Sequence, residues 1–171
     1  ALLIKAGKDA GLNANFYTYY AATTGVPTAM GAAGEDRVKF VGYWNVNNEK
    51  FVGADFAMGY LKKYNDDYYT MATYTGIALL AKAFKETKST DPVKVAKALE
   101  GMKVQSLNGE VEMRQSDKQA LQDLVFAMLA KVDFKVVKYE QEKTGYGWKT
   151  EAVIPTYVAT QPTSCQMQRP K

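Results

Sequence analysis

The side chains that carry most protein chemistry are scarce in this sequence. It contains no histidine, which removes imidazole acid–base catalysis, Ser-His-Asp and Cys-His nucleophile systems, and histidine metal ligation within the chain. Its single cysteine, Cys165, sits in a polar stretch, Thr163-Ser164-Cys165-Gln166-Met167-Gln168-Arg169-Pro170. A lone cysteine in a secreted protein is either a free thiol or half of a disulfide whose partner lies elsewhere. No G-x-G-x-x-G fingerprint and no Walker-type Gly-Lys-Ser/Thr occurs, so no phosphate cradle is expected. The obvious carboxylate pairs are Asp66-Asp67, between two helical stretches, and Glu110/Glu112, which alternate on the outward side of a strand pattern. Both read as solvated, and neither catalysis, metal nor cofactor is expected of them.

What the sequence has in excess is aromatic surface. Seven of its twelve tyrosines and one of its two tryptophans gather in Phe16-Tyr17-Thr18-Tyr19-Tyr20, Tyr43-Trp44, Tyr64 and Tyr68-Tyr69. Tyrosine and tryptophan offer a flat apolar face and a polar tip, the pairing that a small-molecule pocket uses. In open α/β sheets, ligands sit beyond the carboxyl ends of the strands. Tyr19-Tyr20 closes one predicted strand, Tyr43-Trp44 closes the next, and Tyr68-Tyr69 precedes a helix. A cleft lined by Tyr19, Tyr20, Trp44 and Tyr69 is the expectation; individual rings serving as core is the competing one.

The elements that would hold these rings follow from periodicity. The chain opens in a helix, with Leu2, Leu3 and Ala6 on one face and Gly11 as its C-terminal cap. A strand over 15–20, a helix from Pro27 to about Gly34, and a strand over 38–44 give the rhythm of a parallel α/β sheet. After the polar break Asn45-Val46-Asn47-Asn48 the texture changes. Val52, Phe56, Tyr60 and Tyr64 mark a helix over 49–64, and Tyr74, Ile77, Leu80, Ala81 and Phe84 mark a second from about Thr70. Asp91-Pro92 caps and starts a third, with Val95 and Leu99 as its stripe and Gly101 as its end. A turn at Leu107-Asn108-Gly109, a half-exposed strand through Val111 and Met113, and an apolar strand over 124–132, expected to be buried on both faces, come next. Edge segments over 134–139 and 148–154 follow, and the tail after Pro155 has no periodicity.

Composition bounds the partners. The chain has 171 residues, 47 % of them hydrophobic, enough for a core. No apolar run approaches the roughly 20 residues of a membrane span. The formal charge is +4, with only three arginines, Arg37, Arg114 and Arg169. Nucleic-acid binders lean on arginine for base and phosphate contacts, so no nucleic-acid partner is expected. The lysines of the predicted helices read as their wet faces. The absence of an initiator methionine and the opening in mid-helix suggest a fragment whose upstream part lies elsewhere.

In order along the chain, several short motifs carry a resemblance. Leu2-Leu3-Ile4-Lys5-Ala6 with Ala10-Gly11-Leu12, leading into an aromatic strand, resembles the second lobe of Leu/Ile/Val-type periplasmic solute-binding proteins. Phe51 to Tyr64, Tyr68-Tyr69-Thr70-Met71-Ala72-Thr73-Tyr74, Thr90 to Leu99 and Leu107-Asn108-Gly109-Glu110-Val111 are similar to later elements of the same family, in the same order. The resemblance implies the type I periplasmic binding protein fold, two Rossmann-like α/β lobes joined by crossovers, of which this chain is a C-terminal fragment. It places residues 1–46 in lobe two, 47–118 in lobe one after a hinge at Asn45–Asn48, and 119–171 back in lobe two.

The same resemblance implies a binder and not an enzyme. It suggests the capture component of an ABC importer, exported to the periplasm by a signal peptide upstream, delivering a branched-chain amino acid or related small carboxylate or aromatic solute to a membrane permease. Tyr69 matches an aromatic that covers the ligand side chain. Tyr20 falls where amino-acid binders of the family place an acidic residue for the ligand ammonium, and Tyr19-Tyr20-Ala21 has no carboxylate. An aromatic or aliphatic carboxylate, or an amide-type solute, without a free ammonium is therefore the expectation, unless the upstream half supplies the carboxylate. A sensor domain of the same fold and a small α/β enzyme remain the alternatives.

Overall fold

The computed structural model describes residues 1–69, 72–166 and 168. Helix α1 (Leu2–Asp9) leads to strand β1 (Phe16–Thr18), helix α2 (Val26–Met30) with a 3-10 turn over Gly31–Gly34, and strand β2 (Val38–Gly42). Three helices follow, α3 (Ala54–Tyr64), α4 (Ala72–Thr87) and α5 (Pro92–Ala98). Then come β3 (Lys103–Ser106), β4 (Gly109–Met113), β5 (Ala120–Leu121), β6 (Leu124–Lys131), β7 (Tyr146–Ile154) and the short α6 (Thr156–Ala159). The start of α4 expected near Thr70 lies outside the described residues.

Two sheets form. The larger runs β1-β2-β6-β7 and the smaller β3-β4-β5. Among the described residues only β1 and β2 pair in parallel; β6 is antiparallel to both its neighbours. The sheet is thus mixed, where the helix–strand rhythm had suggested a parallel one. That rhythm governs only the first 42 residues, and β6–β7 is a hairpin. Strand β6 was expected to be buried on both faces. Instead Val125, Ala127 and Leu129 are fully buried and the residues between them are half-buried. It therefore covers the core with one face, as antiparallel strands commonly do. β3 carried no strand signal of its own and is held by pairing with β4, Val104 opposite Val111.

The main core lies on one face of the large sheet. Trp148 packs edge-on against Phe40 at 4.7 Å, and Ile4, Met30, Val38, Val125, Ala127 and Leu129 close around them. A second cluster joins Leu79, Ala83, Val95 and Met102 between α4, α5 and the small sheet. The α1 face that carries Leu2, Leu3 and Ala6 is the outer one: Leu2 and Leu3 are 85 % and 72 % exposed, and Ile4 and Gly7 face inward. Gly11 does end the helix, in the left-handed region at φ 68°. Asp91 caps α5 as expected, accepting from the Lys94 N–H at 2.8 Å.

The polar break at 45–48 is no open joint. Asn45, Asn47 and Asn48 are buried. Asn45 Nδ2 donates to Trp148 O and to Thr150 Oγ1, both at 2.9 Å. Trp44, Phe51 and Ala57 lie in one core cluster, so strand β2 and helix α3 share packing across the break. Asn47 satisfies both ends of its amide on Lys138 and Tyr139, and Asn45 Oδ1 accepts from the Asn47 N–H at 3.2 Å. Asn48 Oδ1 accepts from the Lys50 N–H at 3.3 Å, whereas its buried Nδ2 finds no partner among the described residues. The segment over 134–139 is a bend, not a strand: Asp133 Oδ1 accepts the backbone N–H groups of Lys135, Val136 and Val137, each at 2.9 Å.

Candidate functional site

Three remote segments meet at an open cavity of about 440 Å³. The turn into α2 contributes Thr24, Gly25, Thr28 and Ala29; the end of α3 and the loop after it contribute Leu61, Asn65, Asp66, Asp67 and Tyr69; the bend before β7 contributes Glu142 and Lys143. Asn65 leaves α3 in the left-handed conformation, φ 52°, and so turns the chain back towards the cavity.

Glu142 organises the wall. Its Oε2 accepts from Thr28 N at 2.7 Å and Thr28 Oγ1 at 2.5 Å, and its Oε1 accepts from the Gly25 N–H and from Tyr69 Oη at 2.9 Å. Its own N–H donates to Asp67 Oδ2. Burial alone would raise the Glu142 pKa, but the donors, led by the Thr28 hydroxyl, outweigh it and hold the carboxyl below its ordinary value. Glu142 is therefore the ionised partner. Tyr69 is pushed well above the ordinary phenol range, first by burial and then by that carboxylate. Asp67 is also raised. Burial is the largest cause, the Glu142 N–H partly opposes it, and the charges of Glu142, Asp66 and Glu140 add to it. Lys143 Nζ donates to Asn65 Oδ1 at 2.9 Å across the same mouth.

Of the residues singled out in the sequence, Tyr69 lines this cavity. Tyr19 and Tyr20 follow the carboxyl end of β1 and are each 75 % exposed, outside the lining. Thr23 ties that corner down by donating its N–H and hydroxyl to Tyr20 O, at 3.2 and 2.7 Å. Trp44 requires correction: it is core and not cleft. It is 5 % exposed, stacks on Phe51 at 5.9 Å, meets Tyr68 edge-on at 5.6 Å, and donates Nε1–H to Tyr68 O at 3.1 Å. A large ring two residues beyond β2 is drawn inward because α3 closes over that strand end.

Asp66-Asp67 was read as a solvated pair, yet Asp67 is half-buried and receives a backbone N–H. Glu110 and Glu112 do face outward, sharing Lys103 at 2.9 and 3.5 Å. Glu142 was missed altogether. Gln141-Glu142-Lys143-Thr144-Gly145 reads as a plain polar turn, and only the tertiary fold brings it to Tyr69. Among the described residues, no group of His, Cys, Asp and Glu is placed to hold a metal, and no helix is long and apolar enough to cross a membrane.

A search of curated protein sequences finds no match. Among solved structures, a leucine-, isoleucine-, valine-, threonine- and alanine-binding protein from Brucella ovis, in closed conformation, is 27 % identical with a TM-score of 0.84 over 99 % of this chain. A solute-binding protein of an ABC transporter from Rhodopseudomonas palustris, in complex with 3,4-dihydroxybenzoic acid, is 18 % identical with a TM-score of 0.68 over 91 %. A leucine-binding protein from Thermotoga maritima is 17 % identical with a TM-score of 0.67 over 90 %. The chain spans 44 %, 48 % and 41 % of these three structures, so it corresponds to part of their fold. The family model described as periplasmic binding protein matches residues 1–133. This chain belongs to the periplasmic binding protein family, with the mixed α/β architecture of the type I fold.

Proposed function

We propose that this chain forms part of the solute-capture surface of an ABC importer's extracytoplasmic binding protein, working in the periplasm and handing its cargo to a membrane permease. The cargo is a branched-chain amino acid or a related small carboxylate or aromatic solute. The observation that carries the reading is the cavity where three segments far apart in sequence converge on Tyr69 and Glu142. In a two-lobed binder, residues 1–46 and 119–171 belong to one lobe and 47–118 to the other, and such a cavity lies between them. The two separate sheets favour this division, although β5 still pairs with β4 and the return to the large sheet begins at Leu124. Tyr69 then covers the solute, with Tyr20 and Tyr19 at the rim.

Support also comes from unpaired apolar surface. Helix α4 buries Leu79 and Ala83 on one side and exposes Ile77, Leu80 and Phe84 on another, at 62 %, 38 % and 44 %. A helix apolar on both sides is built to be covered on both. Neighbours named for amino acids and for an aromatic acid support a small carboxylate-bearing cargo. The test is calorimetric titration of the full-length protein with leucine, valine, benzoate and 4-hydroxybenzoate. Saturable binding of at least one, with no chemical change in it, is expected. Absence of binding by all four, or turnover of any of them, overturns the reading.

A further inference from the structure

Every hydrogen-bond donor that the cavity wall directs at Glu142 is consumed by it. The Gly25 and Thr28 N–H groups, the Thr28 hydroxyl and the Tyr69 hydroxyl all end on its two oxygens. A hydroxyl has one proton and two lone pairs. With Glu142 ionised and acceptor-only, the protons of Thr28 and Tyr69 are committed, and what their oxygens offer the cavity is lone pairs. Asp66 and Asp67 in the same lining add acceptors, and one N–H of the Lys143 ammonium is spent on Asn65 Oδ1. Hydrogen-bond polarity here is set by a residue 73 positions from Tyr69 and beyond the segment that the family match covers.

From this polarity we infer that Glu142 is a specificity-determining positioning residue, which fixes Tyr69 and Thr28 as acceptors so that the site selects solutes presenting a hydrogen-bond donor, an ammonium or a hydroxyl, to this wall. The inference rests on the solute-binding reading above. It reverses the expectation from Tyr20 that the solute lacks a free ammonium: the missing carboxylate is supplied elsewhere, and acts through two hydroxyls. A bare carboxylate end placed against Thr28 and Tyr69 would meet their lone pairs and the Glu142 charge, and would lose its hydration there without replacement.

The test uses matched pairs of solutes on the full-length protein: L-leucine against 4-methylpentanoate, and 4-hydroxybenzoate against benzoate. Affinities are measured by calorimetry for the parent, Glu142→Gln and Tyr69→Phe. In the parent, the donor-bearing member of at least one pair is expected to bind about tenfold tighter or more. The pair that responds tells ammonium from hydroxyl. In Tyr69→Phe, which keeps the ring and removes the acceptor, that ratio is expected to fall by about tenfold. Glu142→Gln, whose amide can donate to Tyr69 and free its proton, is expected to lower it by at least as much. Should Glu142→Gln fail to fold by circular dichroism, Tyr69→Phe alone decides. Equal or inverted ratios in the parent, or ratios unchanged in a folded variant, overturn the inference while leaving a binder. No binding by the parent removes the solute-binding reading and this inference together.

Discussion

Asn47 clasps the backbone of Tyr139 from 92 residues away: its Nδ2 donates to Tyr139 O at 2.8 Å, and its Oδ1 accepts from Tyr139 N at 2.8 Å and Lys138 N at 2.9 Å. A single amide thus satisfies three backbone groups of a loop with no strand of its own. The side chain is nearly buried, so water cannot stand in freely.

Asn47→Ala is therefore expected to cost about 2–4 kcal/mol, the loss of three bonds with the backbone groups only partly rehydrated. Asn47→Asp should cost comparably, because a carboxylate oxygen would face Tyr139 O where an amide now donates. Urea denaturation of both variants checks this. A cost below about 0.5 kcal/mol for either would place the loop's stability elsewhere.

Gly147 lies under the same loop. A Cβ there would stand 2.2 Å from Tyr139 O, 2.8 Å from Val137 Cγ1 and 3.1 Å from Asn47 Nδ2. The nearest atom is backbone and has no rotamer to retreat into. Gly147→Ala should destabilise by about 1–3 kcal/mol, the usual cost of overpacking, and should be less than additive with Asn47→Ala because both loosen the same loop. Full additivity in the double variant would count against a shared locus.

Much of the fold was legible because local signals and tertiary demands coincide. The Asp91-Pro92 cap, the Gly11 helix end and the strand at Val111 are cases where neighbouring residues alone determine the outcome. The misreadings occurred where two faces were both apolar. On α1 and α4 periodicity located a helix but chose the outer stripe, since Ile4 and Leu79 are no more apolar than Leu3 and Leu80. The site was legible in its aromatics and opaque in its charge. Tyr69 stood out by type, whereas Glu142 sits in a turn like many others. Its meaning arises from Gly25, Thr28 and Asp67, which the chain brings together only on folding.

Tyr20 and Trp44 separate site from core in one experiment. Tyr20 is 75 % exposed, so Tyr20→Ala should change unfolding free energy by less than about 0.5 kcal/mol. If it stands at the cavity approach, solute affinity should still fall several-fold. Trp44→Ala removes a buried ring stacked on Phe51 and bonded to Tyr68 O, and should cost about 3–5 kcal/mol with or without solute. A stable Trp44→Ala protein that had lost only affinity would return Trp44 to the cleft.

The opposed shifts of Glu142 and Asp67 predict how acid acts on this corner. Glu142 is depressed in the fold, so its contribution is complete above its ordinary carboxyl pKa of 4.5 and is lost as pH falls through the lower folded value. Asp67 is raised from 3.8, so folding favours its protonated form, and stability from this residue falls as pH rises from that value through the folded one. Glu142→Gln should therefore be less stable than the parent at neutral pH, by about 1–2 kcal/mol for its charge-assisted bonds, with the gap closing towards pH 3. Asp67→Asn keeps an oxygen for the Glu142 N–H and removes the repulsion. It should match or exceed the parent at neutral pH and lose that advantage in acid. Chemical denaturation across pH 3–8 gives both curves. A gap for Glu142→Gln that stays constant to pH 3 would show that its carboxylate is not what ties α2 to Tyr69.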